Sequence, residues 1–187
     1  TVAKPFVIAY GVDDGKELWR ADLMDGEVAP SPVFANDKVI VANQGAKLAA
    51  IRPDGSGDVT ATHIAWTGRD EDGLALPDIV SPLFDAKNNL VYLTDSNGIL
   101  TCIDAADGKK VWEKKLDGSF NGSPSLVDGK VWLLATNGTM HFIASGREFA
   151  ETGKAALGEP STCSPAFAEG RVYIRGVKNM YCVGKKR

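Results

Sequence analysis

The 187-residue chain contains few cysteine and histidine side chains and no long apolar run. It has three cysteines, which cannot all pair with one another, and two histidines, which are too few to build a zinc cluster without a Cys-x-x-Cys motif. No stretch approaches the roughly 18 apolar residues of a membrane-spanning helix. We therefore expect no complete disulfide framework, no metal site and no membrane span.

The chain also lacks the basic excess of a nucleic-acid-binding protein. Its net charge is -3, so we expect no nucleic-acid partner. The basic run Lys185, Lys186 and Arg187 is expected to be a solvated tail rather than a binding patch. The opening residues 1–10 indicate a strand and not a signal peptide, so we expect a processing boundary there, which leaves the compartment open.

A repeat built on the dipeptide Ser-Pro is the main signal of the sequence. After each copy come a short apolar run, a polar turn, a β-rich run, a second turn and a third apolar run. Most turns contain Asn-Gly, Asp-Gly or a similar pair, which supplies the positive φ angles of tight hairpins. The pattern predicts antiparallel strands joined as hairpins after Ser31, Ser81, Ser123 and Ser164, at intervals of 50, 42 and 41 residues.

A second repeated unit lies between the Ser-Pro copies. The segment VIAYGVDDGKELW (7–19) aligns without a gap on LTCIDAADGKKVW (100–112), so that Trp19 matches Trp112. A looser version ends at Trp66, and in the copy at 123–157 Phe149 takes the place of the tryptophan. The stretch 147–157 has some helical character, but its position in the repeat predicts a fourth strand.

Four short antiparallel strands in about 42 residues are typical of a β-propeller blade. We expect an all-β fold in which blades stack face to face, because one small sheet cannot cover both of its faces. Trp19, Trp66 and Trp112 are predicted to pack between blades, and each Ser-Pro proline to begin an innermost strand. The predicted division is the end of one blade (1–26), three blades (27–68, 69–118 and 119–160) and a partial blade (161–187).

The order of these signals resembles the pyrroloquinoline-quinone-like propeller repeat over nearly the whole chain. The resemblance rests on the four Ser-Pro units and on Asp-Gly-Lys-x-x-Trp at 14–19 and 107–112. WD and kelch repeats fit less well. The resemblance implies the C-terminal half of a seven- or eight-bladed propeller, similar to the cofactor-free bacterial lipoprotein that assists outer-membrane protein assembly. It also implies a periplasmic or extracellular location.

Family members that use the quinone carry a vicinal cysteine pair, a calcium ion held by Glu, Asn and Asp, and an aspartate base. Cys102, Cys163 and Cys182 are far apart in this sequence, so we expect neither quinone nor another cofactor. Cys102 and Cys182 occupy equivalent repeat positions and are predicted to fill the core, and Cys163 to be a half-buried inert thiol. The stretch 70–73, DEDG, lacks the spacing of a calcium loop and is predicted to be a solvated insertion.

We find no catalytic motif in the sequence, so the expected function is binding or scaffolding. Asp78, Asn121 and Thr162 lie two or three residues before a Ser-Pro serine and are the candidate ligand contacts at the rim of the central funnel. The open faces of the outermost blades are expected to be covered by missing blades, a protein partner or self-association. The alternatives are a fragment of a quinone-dependent dehydrogenase and a recognition propeller fused to an enzyme.

Overall fold

The computed structural model describes residues 1–184 and consists almost entirely of β-sheet. The described residues contain a single helical element, one turn of 3-10 helix at Asp70–Asp72 inside the predicted insertion. The stretch 147–157 contains a strand, as predicted. The predicted solvated tail, Lys185, Lys186 and Arg187, lies outside the described residues.

The strands form five successive sheets along the chain. The first sheet contains β1 (Phe6–Tyr10), β2 (Glu17–Asp22) and β6 (Gly57–Asp58); the second contains β3 (Val33–Ala35), β4 (Lys38–Ala42), β5 (Leu48–Ile51) and β7 (Ile64–Gly68). The third contains β8 (Leu83–Asp85), β9 (Leu90–Thr94), β10 (Ile99–Asp104) and β11 (Lys110–Lys115); the fourth contains β12 (Ser125–Val127), β13 (Lys130–Leu134), β14 (Thr139–Ala144) and β15 (Glu151–Ala156). The fifth contains β16 (Ala166–Ala168), β17 (Arg171–Arg175) and β18 (Met180–Gly184).

The second, third and fourth sheets are four-stranded and antiparallel, which confirms the predicted fold class. The first sheet differs because β6 pairs with β2 in parallel, bringing Gly57 opposite Trp19. This two-residue strand comes from the connection between β5 and β7, so it ties the first sheet to the second. A strand this short carries no alternation of apolar residues, and the sequence did not reveal it.

The predicted turns form largely where the repeat placed them. Each Ser-Pro proline immediately precedes the first strand of a sheet. The first turns adopt positive φ, as at Asn36 (48°) and Asp37 (56°), because tight hairpins need this conformation. The turn between β17 and β18, predicted at Lys178 and Asn179, has no positive φ at these residues. It is held instead by the Glu159 carboxylate, which accepts the backbone N–H of Lys178 at 2.8 Å and that of Asn179 at 3.0 Å.

The sheets stack face to face around a common axis. Each neighbouring pair encloses an apolar cluster; between the third and fourth sheets it includes Leu100 and Cys102 on one side and Val131, Leu133 and Ile143 on the other. The first strand of the third sheet, β8, contacts the first strands of both neighbours, β3 and β12. The first strands therefore line the axis and the fourth strands lie outside, as in propeller blades.

The three tryptophans share one place in the strand register. Trp19 on β2 lies opposite Ala9 on β1, and these two strands correspond to the fourth and third strands of the other sheets. Trp66 lies opposite Ala50 and Trp112 opposite Cys102, so in these three sheets a large ring on the fourth strand faces a small residue on the third. The Trp19 indole donates to the Pro53 carbonyl of the following sheet (3.0 Å).

The other two rings also reach the next sheet. Trp112 donates to the Gly146 carbonyl (3.0 Å), and a Cβ placed on Gly108 would lie 2.6 Å from the Trp66 ring. Each tryptophan thus contacts the turn between the third and fourth strands of the sheet that follows.

In the fourth sheet the large residue is on the third strand and the small residue is on the fourth. The prediction that Phe149 replaces the tryptophan is therefore wrong. Phe149 does not replace the tryptophan: it lies before β15, and its ring packs against Trp112 with centroids 5.3 Å apart. The equivalent of the tryptophan is Gly153, which lies opposite Phe142. The bulky side chain has moved from the fourth strand to the third, and the small residue has moved the other way.

The cysteines also depart in part from their predicted places. Cys102 is fully buried, and this burial raises the pKa of its thiol to about 12, so it is an inert core residue as predicted. Cys182 is exposed, contrary to the prediction that it fills the core. It occupies the position equivalent to Cys102, but among residues 1–184 no further sheet packs on its face. Cys163 is half-buried, and its Sγ contacts the Arg175 carbonyl oxygen at 3.3 Å.

Replacing Trp112 by alanine tests the stacking. The ring contacts Phe149 and donates to Gly146, both in the fourth sheet. Because the ring is partly buried, we expect the free energy of unfolding to fall by about 3 kcal/mol, measured by urea denaturation, at the lower end of the range for large rings in a core.

Leu18→Ala is the control, because Leu18 lies on the equivalent strand of the first sheet but is 52% exposed. It should change the free energy of unfolding by less than about 0.5 kcal/mol. An equally small effect of Trp112→Ala would contradict the packing of this ring between the sheets.

Candidate functional site

The four Ser-Pro loops are joined by a chain of hydrogen bonds around the axis. The Ser31 backbone N–H donates to the Ser81 hydroxyl oxygen at 3.0 Å. In the same way Ser81 donates to Ser123 (3.0 Å) and Ser123 donates to Ser164 (2.7 Å). We call this set, Ser31, Ser81, Ser123 and Ser164, the serine ladder.

The serine ladder explains why the residue before each proline is a serine. The serine supplies a backbone donor to the next loop and a short side-chain acceptor to the previous one. The sequence shows that a serine precedes each proline. The rules for strand starts explain the proline, but they do not explain the serine, whose hydroxyl accepts a hydrogen bond from a neighbouring loop. Within residues 1–184 the ladder ends at the Ser31 hydroxyl and the Ser164 N–H, for which the described residues provide no partner.

The ladder brings the predicted rim residues to one end of the sheets. Asn121 and Thr162 precede the bonded pair Ser123 and Ser164 by two residues, so their loops are neighbours. Both residues are exposed, and neither side chain forms a hydrogen bond within the described part of the chain. They are available to a ligand at this end.

Asp78 is engaged in a structural role instead. Its carboxylate accepts the Ser96 backbone N–H at 2.9 Å and the Ser96 hydroxyl at 2.5 Å, fixing the second turn of the third sheet. Partial burial would raise the pKa of Asp78, but the hydrogen bonds from Ser96 outweigh it and lower the pKa. The carboxylate is therefore ionised and internally satisfied.

A buried polar network joins the third and fourth sheets at the opposite end. Asp85 is 1% exposed and accepts hydrogen bonds from the Ser145 hydroxyl, the Asn88 side chain (2.7 Å) and the Lys87 N–H (3.0 Å). Burial alone would raise the pKa of Asp85, but these hydrogen bonds lower it. No sequence pattern indicates the link between the two sheets, because Asp85 and Ser145 are 60 residues apart in the chain.

Among residues 1–184, neither histidine belongs to a cluster that could hold a metal ion. His141 is buried between the Glu151 carboxylate (2.7 Å) and the Asp117 carbonyl oxygen (3.0 Å), and His63 contacts the neighbouring Thr62 hydroxyl. Residues 1–184 contain no group of three His, Cys, Asp or Glu side chains that could hold a metal ion.

No helix in the described part of the chain is long and apolar enough to cross a membrane.

The sequence matches a known protein family over most of its length. The family model of the outer membrane protein assembly factor BamB matches residues 2–86 and 66–148. BamB from Salmonella typhimurium (strain LT2) is 29% identical over 136 residues, covering 72% of this chain and 31% of the relative. The chain thus spans about a third of the length of this curated relative.

Solved structures share the fold. BamB from Moraxella catarrhalis superimposes with a TM-score of 0.73 at 15% identity, over 96% of this chain and 52% of that one. A quinohemoprotein alcohol dehydrogenase from Pseudomonas putida HK5 gives a TM-score of 0.62 at 15% identity, over 84% and 29% of the two chains. At such identities the likeness shows the propeller fold alone.

Removing one hydroxyl from the serine ladder tests its contribution. In Ser81→Ala and Ser123→Ala the preceding serine N–H loses its acceptor, so each change should lower the free energy of unfolding by about 1 kcal/mol in urea denaturation.

Ser31→Ala is the matched control, because among the described residues the Ser31 hydroxyl accepts no ladder bond and its own N–H is retained. Its effect should stay below about 0.5 kcal/mol. An equal loss of unfolding free energy in all three serine variants would contradict the hydrogen bonds of the serine ladder.

The Asp85 network predicts a pH dependence. Because the pKa of Asp85 is lowered in the folded state, its ionised form stabilises the fold above its ordinary range near pH 4, and this contribution is lost as the pH falls through the folded pKa. Asp85→Asn should therefore destabilise the protein at about pH 6, and the difference from wild type should shrink by about pH 3.

Urea denaturation at the two pH values measures this difference, with the exposed Asp13→Asn as the control. The unfolding free energy of the control should stay within about 0.5 kcal/mol of the wild-type value at both pH values. If the difference in unfolding free energy between Asp85→Asn and wild type does not depend on pH, the lowered pKa of Asp85 in the folded state is refuted.

Proposed function

The chain belongs to the family of the outer membrane protein assembly factor BamB, and from this premise we propose that it is a non-catalytic β-propeller segment that binds a protein. The binding surface is the end of the sheets that carries the Ser-Pro loops, with Asn121 and Thr162 at its rim. The class of partner follows the family name: a protein that takes part in outer-membrane protein assembly.

The observation that carries this proposal is the combination of free polar side chains with a rigid support. Asn121 and Thr162 make no side-chain hydrogen bond within residues 1–184, while the 2.7 Å hydrogen bond between Ser123 and Ser164 holds their loops together. Exposed loops positioned by a rigid scaffold are typical binding sites. Asp78 supports the rim by anchoring Ser96 rather than by contacting the partner.

We further propose that this segment uses neither quinone nor metal. The quinone-dependent alternative requires adjacent cysteines, whereas Cys102 is buried in the third sheet and Cys163 and Cys182 lie in separate parts of the fifth-sheet region. The likeness to a quinohemoprotein dehydrogenase concerns the fold. A periplasmic location in a bacterium is consistent with the family and belongs to the same proposal.

The double variant Asn121→Ala/Thr162→Ala tests the rim. We expect it to bind a fluorescently labelled outer-membrane β-barrel protein, diluted from urea, at least about fivefold more weakly than wild type in fluorescence anisotropy, as for loss of two moderate contacts. The free energy of unfolding should not change, since both residues are exposed.

Asp13→Ala/Glu148→Ala is the control. Both residues are exposed and lie in turns between third and fourth strands, at the opposite end of the sheets from the Ser-Pro loops. This variant should bind like wild type. Equal affinity of the rim variant and wild type would remove the support for a rim site, and dye-linked dehydrogenase activity restored by quinone and calcium would favour the enzyme alternative.

A further inference from the structure

A buried histidine of the fourth sheet contacts the connection that carries the rim residue Asn121. His141 lies on β14 and is fully buried. Its Nε2 is 3.0 Å from the Asp117 carbonyl oxygen, and its ring packs edge to face on Phe120 with centroids 5.7 Å apart. Asp117 and Phe120 belong to the connection between β11 and β12, shortly before Asn121. His141 therefore holds this connection from the inside of the protein.

Both ring nitrogens of His141 face oxygen atoms. Nδ1 is 2.7 Å from a carboxylate oxygen of Glu151, and Nε2 is 3.0 Å from the carbonyl oxygen of Asp117. A neutral imidazole has one N–H donor and one acceptor nitrogen, so it can donate to only one of these oxygens. Its other nitrogen would then direct a lone pair at an oxygen. Only the doubly protonated ring, the imidazolium, donates to both oxygens.

The charged groups around the ring balance an imidazolium. The Lys154 Nζ lies 3.1 Å from the Asp117 carboxylate and 3.6 Å from the Glu151 carboxylate. Two carboxylates and one ammonium group leave one negative charge, which a positive charge on His141 neutralises. A buried charge is tolerated in a protein when it is paired and hydrogen-bonded, and His141 meets both conditions.

The position of His141 in the strand register is filled by a different residue in each sheet. From the second sheet to the fifth these residues are Ala49, Thr101, His141 and Tyr181. The Thr101 hydroxyl donates to Glu113 within its own sheet (3.1 Å). Tyr181 lies beside Glu159, whose carboxylate raises the pKa of the tyrosine. Glu159 belongs to the connection that carries Thr162. A polar side chain at this position thus reaches the incoming connection in the two sheets whose connections carry Asn121 and Thr162.

We propose that His141 is the positioning residue of Asn121. As an imidazolium it donates to Glu151 on β15 and to the Asp117 carbonyl in the connection, and it thereby fixes the loop that presents Asn121 to a protein partner. This inference rests on the proposed rim function. Its tests therefore measure the protonation of the ring and the order of the connection separately from the binding of a partner.

Nitrogen NMR of the isotope-labelled protein shows the protonation of the ring directly. The chain has two histidines, so the ring signals that disappear in His141→Phe identify those of His141. At about pH 7, both ring nitrogens of His141 should have the chemical shifts of protonated nitrogens. The shift of an unprotonated nitrogen at either position would show a neutral ring and overturn the proposal.

Glu151→Gln tests the carboxylate as the reason for the second proton. The glutamine amide can donate to Nδ1, so the ring should become neutral and keep its proton on Nε2, where it still donates to Asp117. The NMR spectrum of this variant should show one unprotonated ring nitrogen. Two protonated nitrogens in Glu151→Gln would contradict the assigned role of the carboxylate.

Hydrogen exchange of residues 117–122 measures whether His141 holds the connection. His141→Phe keeps an aromatic ring against Phe120 but has no donor for the Asp117 carbonyl. The amides of this segment should exchange about tenfold faster in His141→Phe, as for the loss of one hydrogen bond to a charged group, and at nearly the wild-type rate in Glu151→Gln. The Phe120 N–H still donates to the Ser96 carbonyl, so the change should stay local. Unchanged exchange in a folded His141→Phe protein would overturn the proposal.

Thr101→Val is the matched control. Thr101 occupies the same register position in the third sheet, is fully buried and donates within its own sheet. The change removes a buried hydrogen bond and should leave the exchange of residues 117–122 unchanged. Equally fast exchange of this segment in Thr101→Val and His141→Phe would indicate a general loss of stability and contradict the positioning role.

Binding of the labelled outer-membrane β-barrel protein connects the position of the loop to function. His141→Phe should bind it at least about fivefold more weakly than wild type in fluorescence anisotropy, whereas Thr101→Val and Glu151→Gln should bind like wild type. Faster exchange of residues 117–122 in His141→Phe with unchanged affinity would contradict positioning for binding. If Asn121→Ala/Thr162→Ala binds like wild type, the rim function fails, and the NMR and exchange results still decide whether His141 fixes the connection.

Discussion

Face-to-face stacking of small sheets is the constraint on which the rest of the structure depends. A sheet of four short strands has two apolar faces and cannot hide both by itself. The third sheet shows the solution: all five residues of β9 are buried, because the second and fourth sheets cover both sides. The first and fifth sheets, covered on one side within residues 1–184, retain exposed apolar side chains such as Tyr10 and Met180.

Two sets of contacts keep the stacked sheets in register at opposite sides. Near the axis the serine ladder links each Ser-Pro loop to the next through one backbone donor and one hydroxyl acceptor. At the outside, Trp19, Trp66 and Trp112 reach from the fourth strand to a turn of the following sheet. The loops of the rim are thereby held on a rigid base, which is what a binding surface made of loops requires.

The sequence predicted the local elements well because their causes are local. Asn-Gly and Asp-Gly turns, alternating apolar runs and the proline before each first strand depend on neighbours in the chain. The equivalence of Trp19 and Trp112 was visible for the same reason. β6, the Asp85 network and the acceptor role of the serines depend on residues in other sheets, which no local pattern reveals.

The errors at Phe149 and Cys182 have a related origin. The sequence of the fourth unit offered Phe149 as the aromatic substitute, but the strand register places Gly153 at the tryptophan position, opposite the large side chain of Phe142. Cys182 matches Cys102 in the repeat, yet burial requires a following sheet on its face. Position in the repeat suggested the three rim candidates, which remain a prediction, but only the hydrogen-bond partners distinguish the engaged Asp78 from Asn121 and Thr162, whose side chains form no hydrogen bond within residues 1–184.

Native-state hydrogen exchange, resolved by strand, tests the stacking most directly. If the sheets lie face to face, the backbone amides of β9 and β10 in the doubly covered third sheet should exchange most slowly, and those of β18 at the open edge most quickly. Equal protection of β9 and β18, or slower exchange in the fifth sheet than in the third, would contradict the stacked arrangement.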